Sequence, residues 1–286
     1  KKNKGSIDQN FDKWNQLLED LTDDTNVQQR FLRQYYNTFK ISVKINIKSI
    51  PRATRSALIR IYETLIDKDA NWLFEDLHAK AEIYNRLISS ENTINTKKIN
   101  DKMLELDRIG GVTSYSLLMY LLTLNSISPS DITDITELLV CYFVRRNLTD
   151  YPATRNLDTI FMDLIESLHK KHEPISLKTR IRTFLLQPNV CATDEVFKQK
   201  LTGNVYEENT QVSRFILCRI EESQRTKENM TDLWERDEKE RYVWTVEHIF
   251  PQGQHIPQSW INMIAGGDEK KAGEAQEEWV HKLGNL

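Results

Sequence analysis

Residues Val112–Leu124, VTSYSLLMYLLTL, are nearly all apolar or small. A run of this length with no polar face reads as a helix buried on most sides, at the centre of a helical bundle. The segments around it carry the one-sided pattern of helices that surround such a core. Upstream, Ile7, Phe11, Trp14, Leu17, Leu18 and Leu21 recur at three- and four-residue steps, and Phe31, Leu32, Tyr35, Tyr36 and Phe39 repeat the pattern. Asp23 to Asn26 supply a polar break with caps between these two segments. Periodicity resumes over 56–67, 70–88 and 96–109, where Gly110-Gly111 makes a stop. Downstream it continues over 130–146, 154–172, 176–186, 194–201 and 210–223.

Composition agrees. The chain has 286 residues with only 9 Gly and 7 Pro, too few for the many tight turns of an all-β sandwich or barrel. Its length suffices for one large domain or two smaller ones. With 39 Lys+Arg against 42 Asp+Glu the net charge is −3, so there is no global basic footprint and any DNA site must be local. Cys141, Cys191 and Cys218 are too scattered for a zinc ribbon or redox pair and read as core or surface thiols of a cytosolic protein. No stretch approaches a spanning helix and no signal peptide opens the chain, so a cytoplasmic protein without membrane contact is expected. No repeat of fixed period emerges. A first residue other than Met and an end at Gly284-Asn285-Leu286 suggest an excerpt of a longer protein.

Two stretches alternate as strands do. Ile41, Val43, Ile45 and Ile47 point to a brief strand or an extended connection ending at Pro51. Residues 242–251, YVWTVEHIFP, are the strongest strand signal in the chain. Before them the charged segment 221–241 reads as a linker or hinge, which gives a helical domain over 1–225 and a second domain over 226–286.

The chemistry lies in Glu247-His248. A carboxylate beside an imidazole that titrates near neutrality suits metal-assisted hydrolysis, with the neutral ring taking a proton from water. Adjacent residues of a regular strand face opposite ways, so both serve one site only where the strand ends or bulges, as Pro251 allows.

TVEHIFPQ, then Trp260, then VHKLGNL resemble the nuclease domain of the GmrSD-type modification-dependent restriction enzymes, a divergent HNH or His-Me finger domain with relatives BrxU and SspE. QQRFLRQYYNTF, VCYFVRRNLTDYPATRNLDTIF and SRFILCRIEES resemble the helical region that precedes it, less specifically. The resemblance implies a mainly α fold: a multi-helix bundle followed by a partial ββα-metal finger. It implies His248 as general base, Glu247 as metal ligand, and Asn285 of the GNL turn as the residue that holds the site and orients the histidine. Hydrolysis would use one Mg²⁺ or Mn²⁺ ion. A final Asn or His ligand would lie on a helix beyond Leu286, so the chain by itself would be a poor nuclease or none. An N-terminal nucleotide-hydrolysing sensor domain would precede Lys1, since no Gly-rich phosphate loop or other cofactor-binding motif is present.

The expected function is therefore the effector part of a bacterial, cytoplasmic anti-phage DNA endonuclease or nickase acting on modified phage DNA, with homo-oligomerisation open. The competing reading is a non-catalytic helical transducer or oligomerisation module of a DNA-sensing defence protein; a third is a simple nucleic-acid-binding protein.

The remaining candidates carry blander readings. Lys170, Lys171, Lys178, Arg180 and Arg182 form the densest basic stretch, a DNA-phosphate contact or a solvated helix surface. Arg145, Arg146 and Arg155 make an internal polar contact or a DNA-facing ridge. His169 and His172 share a helix face, but no Cys or His completes a zinc set. His255 and His281 flank the same interval and could approach the phosphate, but read first as exposed loop and helix residues, and Trp260 reads as a hydrophobic plug in preference to a base-stacking platform.

Overall fold

The computed structural model of the protein describes residues 7–89, 91–124, 126–170, 175–226 and 231–286. These residues build thirteen α-helices. Contacts divide the chain into two compact units, residues 1–143 with 152–190, and residues 144–151 with 191–286.

The first unit holds α1 (Ile7–Leu21), α2 (Thr25–Phe39), α3 (Leu58–Ile88), α4 (Lys97–Arg108), α5 (Tyr115–Leu121), most of α6 (Pro129–Thr149), α7 (Thr154–Lys170) and α8 (Leu177–Leu185). The apolar run that opened the sequence becomes a 3-10 turn, Gly111–Ser114, followed by α5, every residue of which is buried. Helices α2, α3 and α7 pack around α5. Full burial of side chains such as Leu117, Leu118 and Met119 contributes about 1.5–3 kcal/mol each.

A helix enclosed this way leaves neighbouring polar groups without water, and α2 answers them. Gln34 Nε2 donates to the Val112 carbonyl at 2.7 Å, and the Thr38 hydroxyl donates to the Ser116 carbonyl at 3.1 Å. The Tyr84 hydroxyl donates to Gln34 Oε1 at 2.9 Å and accepts from Arg30 Nε at 3.0 Å. Buried polar groups with partners are tolerated in a core, whereas one left unpaired is not.

The helix boundaries follow local chemistry. Asp24 caps α2 through the Asn26 N–H, Thr96 caps α4 through the Ile99 N–H, and Ser176 caps α8 through the Thr179 N–H. Ser128 and Asp131 form a reciprocal capping box at the start of α6. Gly110 adopts a left-handed φ of 75° after α4, as its place beyond the last helical residue predicts. The periodic stretches 56–67 and 70–88 run together as α3, with a break at Asp69, whose φ of −165° is extended. The Asp69 carboxylate then accepts from the Trp72 N–H at 3.1 Å and caps the second half.

The expected strand at Ile41–Ile47 is not formed. Those residues fold into successive turns, with Ile45 N–H donating to the Ser42 carbonyl and Ile50 N–H to the Ile47 carbonyl. Ile45 and Ile50 are buried while Val43, of the same alternating set as Ile45, is 90% exposed, so the alternation does not mark one face turned to the core.

The second unit contains the last turns of α6, α9 (Asp194–Leu201), α10 (Val205–Glu208), α11 (Thr210–Gln224), α12 (Gln258–Ala265) and α13 (Glu269–Trp279), with a closing 3-10 turn at Leu283–Asn285. Arg145 fastens the end of α6 to α9: it donates to the Ala192 carbonyl at 3.0 Å, pairs with Asp194 at 2.6 Å and lies over the Phe197 ring. Of the readings open for this arginine, the internal polar contact is the one seen. Arg146 pairs with Asp150 at 3.1 Å, and Arg155 is exposed.

The helical class therefore holds, but the ββα finger does not appear. Among the described residues the sole β feature is an isolated antiparallel bridge between Arg236 and Tyr242. Residues 243–250 form no strand. A strand needs a partner ladder, and here the N–H groups of this segment are taken instead by Glu235 and by the Asn285 turn.

The charged segment read as a linker is also tied down in its described part. Arg214 on α11 is buried and donates to the carbonyls of Trp244, at 2.6 Å, and Leu233. Its guanidinium lies 3.7 Å from the Tyr242 ring centre and 5.4 Å from that of Trp234.

Candidate functional site

Glu247 and His248 lie in the irregular segment between the Arg236–Tyr242 bridge and α12. What fixes them is the C-terminal turn. The Asn285 backbone carbonyl accepts from the Ile249 N–H at 2.8 Å, and the Asn285 side-chain oxygen accepts from the Phe250 N–H at 2.7 Å. The Asn285 amide nitrogen donates to the Val280 carbonyl at 3.0 Å. Asn285 is 8% exposed, so these bonds form out of competition with water. Phe250, the next residue along, stacks edge-on against Trp260 with ring centres 5.1 Å apart, which is the packing role expected of that tryptophan.

The two neighbours at the motif face different environments. The Glu247 carboxylate is on an exposed residue and accepts from the Thr245 hydroxyl at 2.8 Å. His248 is half-buried, and its ring sits edge-on to Tyr206 of α10 with centres 4.6 Å apart. His281, the residue after Val280, lies parallel to Tyr206 on another side, with ring centres 6.1 Å apart and 6.2 Å from the His248 ring. The Tyr206 N–H donates to the His281 carbonyl at 3.1 Å, which locks α10 to this residue.

His248 Nε2 and His281 Nδ1 are enclosed and hydrogen-bond nothing among the described residues. Buried polar atoms without partners are rare and mark either strain or a site that binds something. Burial lowers the His248 pKa from its ordinary value, the nearby His281 lowers it further, and Glu247 partly opposes them. The ring is therefore neutral at neutral pH and able to accept a proton.

Tyr206 did not stand out in the sequence as part of this site, and His281 only as a residue that could approach the phosphate. His281 read as an exposed helix residue, yet the chain turns after α13 and brings it inward. The adjacency of His281 to the GNL turn was the signal available. His255 is exposed, as expected for a loop residue.

Among the described residues no three His, Cys, Asp or Glu side chains converge on a point where a metal ion can be held. Glu247 offers the one carboxylate beside His248 in sequence, and the Asn285 amide is committed at both ends to backbone groups. A hard divalent ion takes about six oxygen ligands, so these residues do not fit it without further donors.

The basic stretch is spread over private partners. Lys170 pairs with Glu166, Lys178 with Asp134 at 2.7 Å, and Arg180 donates to the Ser167 carbonyl at 3.0 Å. Arg182 is exposed. Lys171 lies outside the described residues, as does His172; His169 is exposed.

Residues 192–286 match the family described as GmrSD restriction endonucleases, C-terminal domain. The match takes in Tyr206, Glu247, His248, His281 and Asn285, and it coincides with nearly all of the second unit's long stretch. It makes the C-terminal third of the chain GmrSD-like and points to a restriction-endonuclease-related function acting on DNA. No curated protein and no solved structure matches the chain. No helix among the described residues is long and apolar enough to cross a membrane.

Proposed function

We propose that the chain is the nuclease-bearing part of a modification-dependent DNA endonuclease or nickase, with His248 as general base. The observation that carries this reading is a neutral, half-buried imidazole whose adjoining backbone is clamped by a buried asparagine, inside the stretch that matches the GmrSD family. A base must be deprotonated at working pH and held in place, and His248 meets both needs. A neutral imidazole keeps one nitrogen unprotonated, and that nitrogen takes the proton of an attacking water. The water oxygen bonds to phosphorus as its proton passes to His248, and the bond from phosphorus to the sugar oxygen breaks, that oxygen leaving with the bonding pair and taking a proton from solvent water. Asn285 acts by positioning, through the Ile249 and Phe250 backbone.

HNH-type chemistry, a Mg²⁺ or Mn²⁺ requirement, modified phage DNA as substrate and a nucleotide-hydrolysing sensor partner belong to this proposal on the strength of the sequence resemblance. Possible homo-oligomerisation and a bacterial cytoplasmic setting stand on the same footing. The competing reading is a helical transducer without catalysis.

Plasmid nicking by the complete protein separates them. Wild type and His248→Ala are compared on plain and modified DNA, with Mg²⁺, with Mn²⁺ and with chelator. The proposal expects the variant to lose about 10²–10⁴-fold in rate. Equal cutting by both proteins refutes the base, and no cutting by wild type under any condition supports the transducer.

A further inference from the structure

A backbone clamp does not orient a ring. Asn285 fixes the chain at Ile249 and Phe250, and among the described residues every hydrogen bond of its side chain goes to a backbone group. The side-chain torsions of His248 are left free by this, and the second of them is by nature broad and roughly two-fold. A general base needs a third group that holds it toward the atom it deprotonates, ordinarily a hydrogen-bonded carboxylate. Glu247 does not fill that place, because its carboxylate accepts from the Thr245 hydroxyl. His248 Nε2 has no hydrogen-bond partner among the described residues.

What the imidazole does meet is Tyr206. The two ring planes stand at 89° with centres 4.6 Å apart, closer than the 6.2 Å that separates the His248 and His281 rings. Edge-to-face pairs of this kind have a preferred geometry, so they fix direction as well as excluding water. Tyr206 is itself held. Its N–H donates to the His281 carbonyl at 3.1 Å, and its carbonyl accepts from the Thr210 hydroxyl at 3.0 Å. The His281 ring lies within 6° of parallel to it. Val205, one residue earlier, is fully buried and anchors the single turn of α10. We infer that Tyr206 is the positioning residue of His248, setting the plane of the imidazole by edge-to-face packing, with His281 supporting the tyrosine. The contact is between rings, so the flat ring and not the hydroxyl carries the role. Tyr206 acts on the reaction through His248 alone. Its catalytic consequence rests on the nuclease reading above, whereas the ring contact can be measured without cleavage.

The test compares wild type, Tyr206→Leu and Tyr206→Phe in the complete protein. Leucine keeps apolar bulk beside the imidazole without the flat face, so the fold is expected to survive, as thermal melts check. Histidine is labelled at Cε1 for NMR, and the His248 signal is assigned by its loss in His248→Gln. In wild type the Tyr206 ring current should displace that signal from the position of an exposed imidazole. Tyr206→Leu should return it there, and Tyr206→Phe should restore the displacement. In plasmid nicking with Mg²⁺ or Mn²⁺, Tyr206→Leu should lower kcat by about 10²-fold with KM unchanged, the mark of a misdirected base and not of lost binding, and Tyr206→Phe should recover the rate. A wild-type signal at the exposed-imidazole position overturns the inference before any variant is made. So does a signal that Tyr206→Leu leaves displaced, or a Tyr206→Phe protein as impaired as Tyr206→Leu. The two readings fail separately. A signal that follows the ring, with no cleavage by wild type under any metal condition, keeps the contact and removes the nuclease; cleavage lost in His248→Ala but kept at full rate in Tyr206→Leu keeps the base and removes Tyr206.

Discussion

The Asn285 side-chain oxygen accepts a hydrogen bond from the Phe250 N–H at 2.7 Å, joining positions 35 apart in the chain. The same residue's carbonyl holds the Ile249 N–H, and its amide nitrogen holds the Val280 carbonyl. Removing the side chain leaves two backbone groups buried and unpaired. Asn285→Ala should cost the second unit about 1–3 kcal/mol, read from urea unfolding of the complete chain. Asn285→Asp should not restore it, since a carboxylate has no N–H for the Val280 carbonyl. A variant as stable as wild type contradicts the clamp.

Arg214 holds the segment that leads to the motif from the opposite end. It donates to the Trp244 and Leu233 carbonyls and lies against Tyr242 and Trp234. Arg214→Leu is expected to destabilise by about 2–3 kcal/mol, because charge-assisted bonds and a cation–π contact are lost together. Arg214→Lys should lose nearly as much, as an ammonium lacks the planar face and fork. Limited proteolysis offers the second readout: cleavage within 231–245 should quicken in both variants.

A different strain is expected at Gly111. A Cβ placed there would lie 2.2 Å from Leu106 Cδ1 and 2.9 Å from the Leu106 carbonyl oxygen. The side chain can shift but the carbonyl cannot move without disturbing the end of α4. Gly111→Ala should therefore lower stability by about 1–3 kcal/mol in calorimetry, in spite of alanine's smaller entropy cost.

The pH dependence follows from His248. Its folded-state pKa lies below the ordinary 6.5, so below that pH the unfolded chain binds more protons than the folded one. This contribution is harmless above 6.5 and destabilises progressively as pH falls toward the folded value. Urea midpoints of wild type from about pH 7 down to about pH 5 should drop more steeply than those of His248→Gln. If cleavage is observed, the acid limb of its rate profile should likewise fall below 6.5; a limb above neutrality would mean that the base is not this ring.

The helices were legible because each carries its own signals. The three-to-four-residue apolar stripe of α2, the caps at Asp24, Thr96 and Ser176, and the glycine after α4 act over a single turn and need no distant partner. Residues 41–47 and 242–251 were misread for the opposite reason. Alternation shows that every second side chain can face inward, but a strand also requires a neighbouring strand, and in both places turns and the Asn285 clamp take the backbone groups. Ile249 shows the consequence: its N–H is held by the Asn285 carbonyl while the residue stands 66% exposed.

The candidate site divides along the same line. Glu247, His248 and Asn285 were marked by their motifs, whose local grammar survives in the sequence. Tyr206 was not, and His281, though inside VHKLGNL, was not assigned a role there, since their places come from α10 and the chain after α13 meeting around one ring, 42 residues before His248 and 33 after it. The sequence alone determined a helical protein with a histidine motif in its last fifth. Tertiary structure decided that this motif is clamped by a turn in place of a strand and that its imidazole is shielded enough to stay neutral. Those are properties of burial and distant hydrogen bonding, which arise only when remote segments exclude water together.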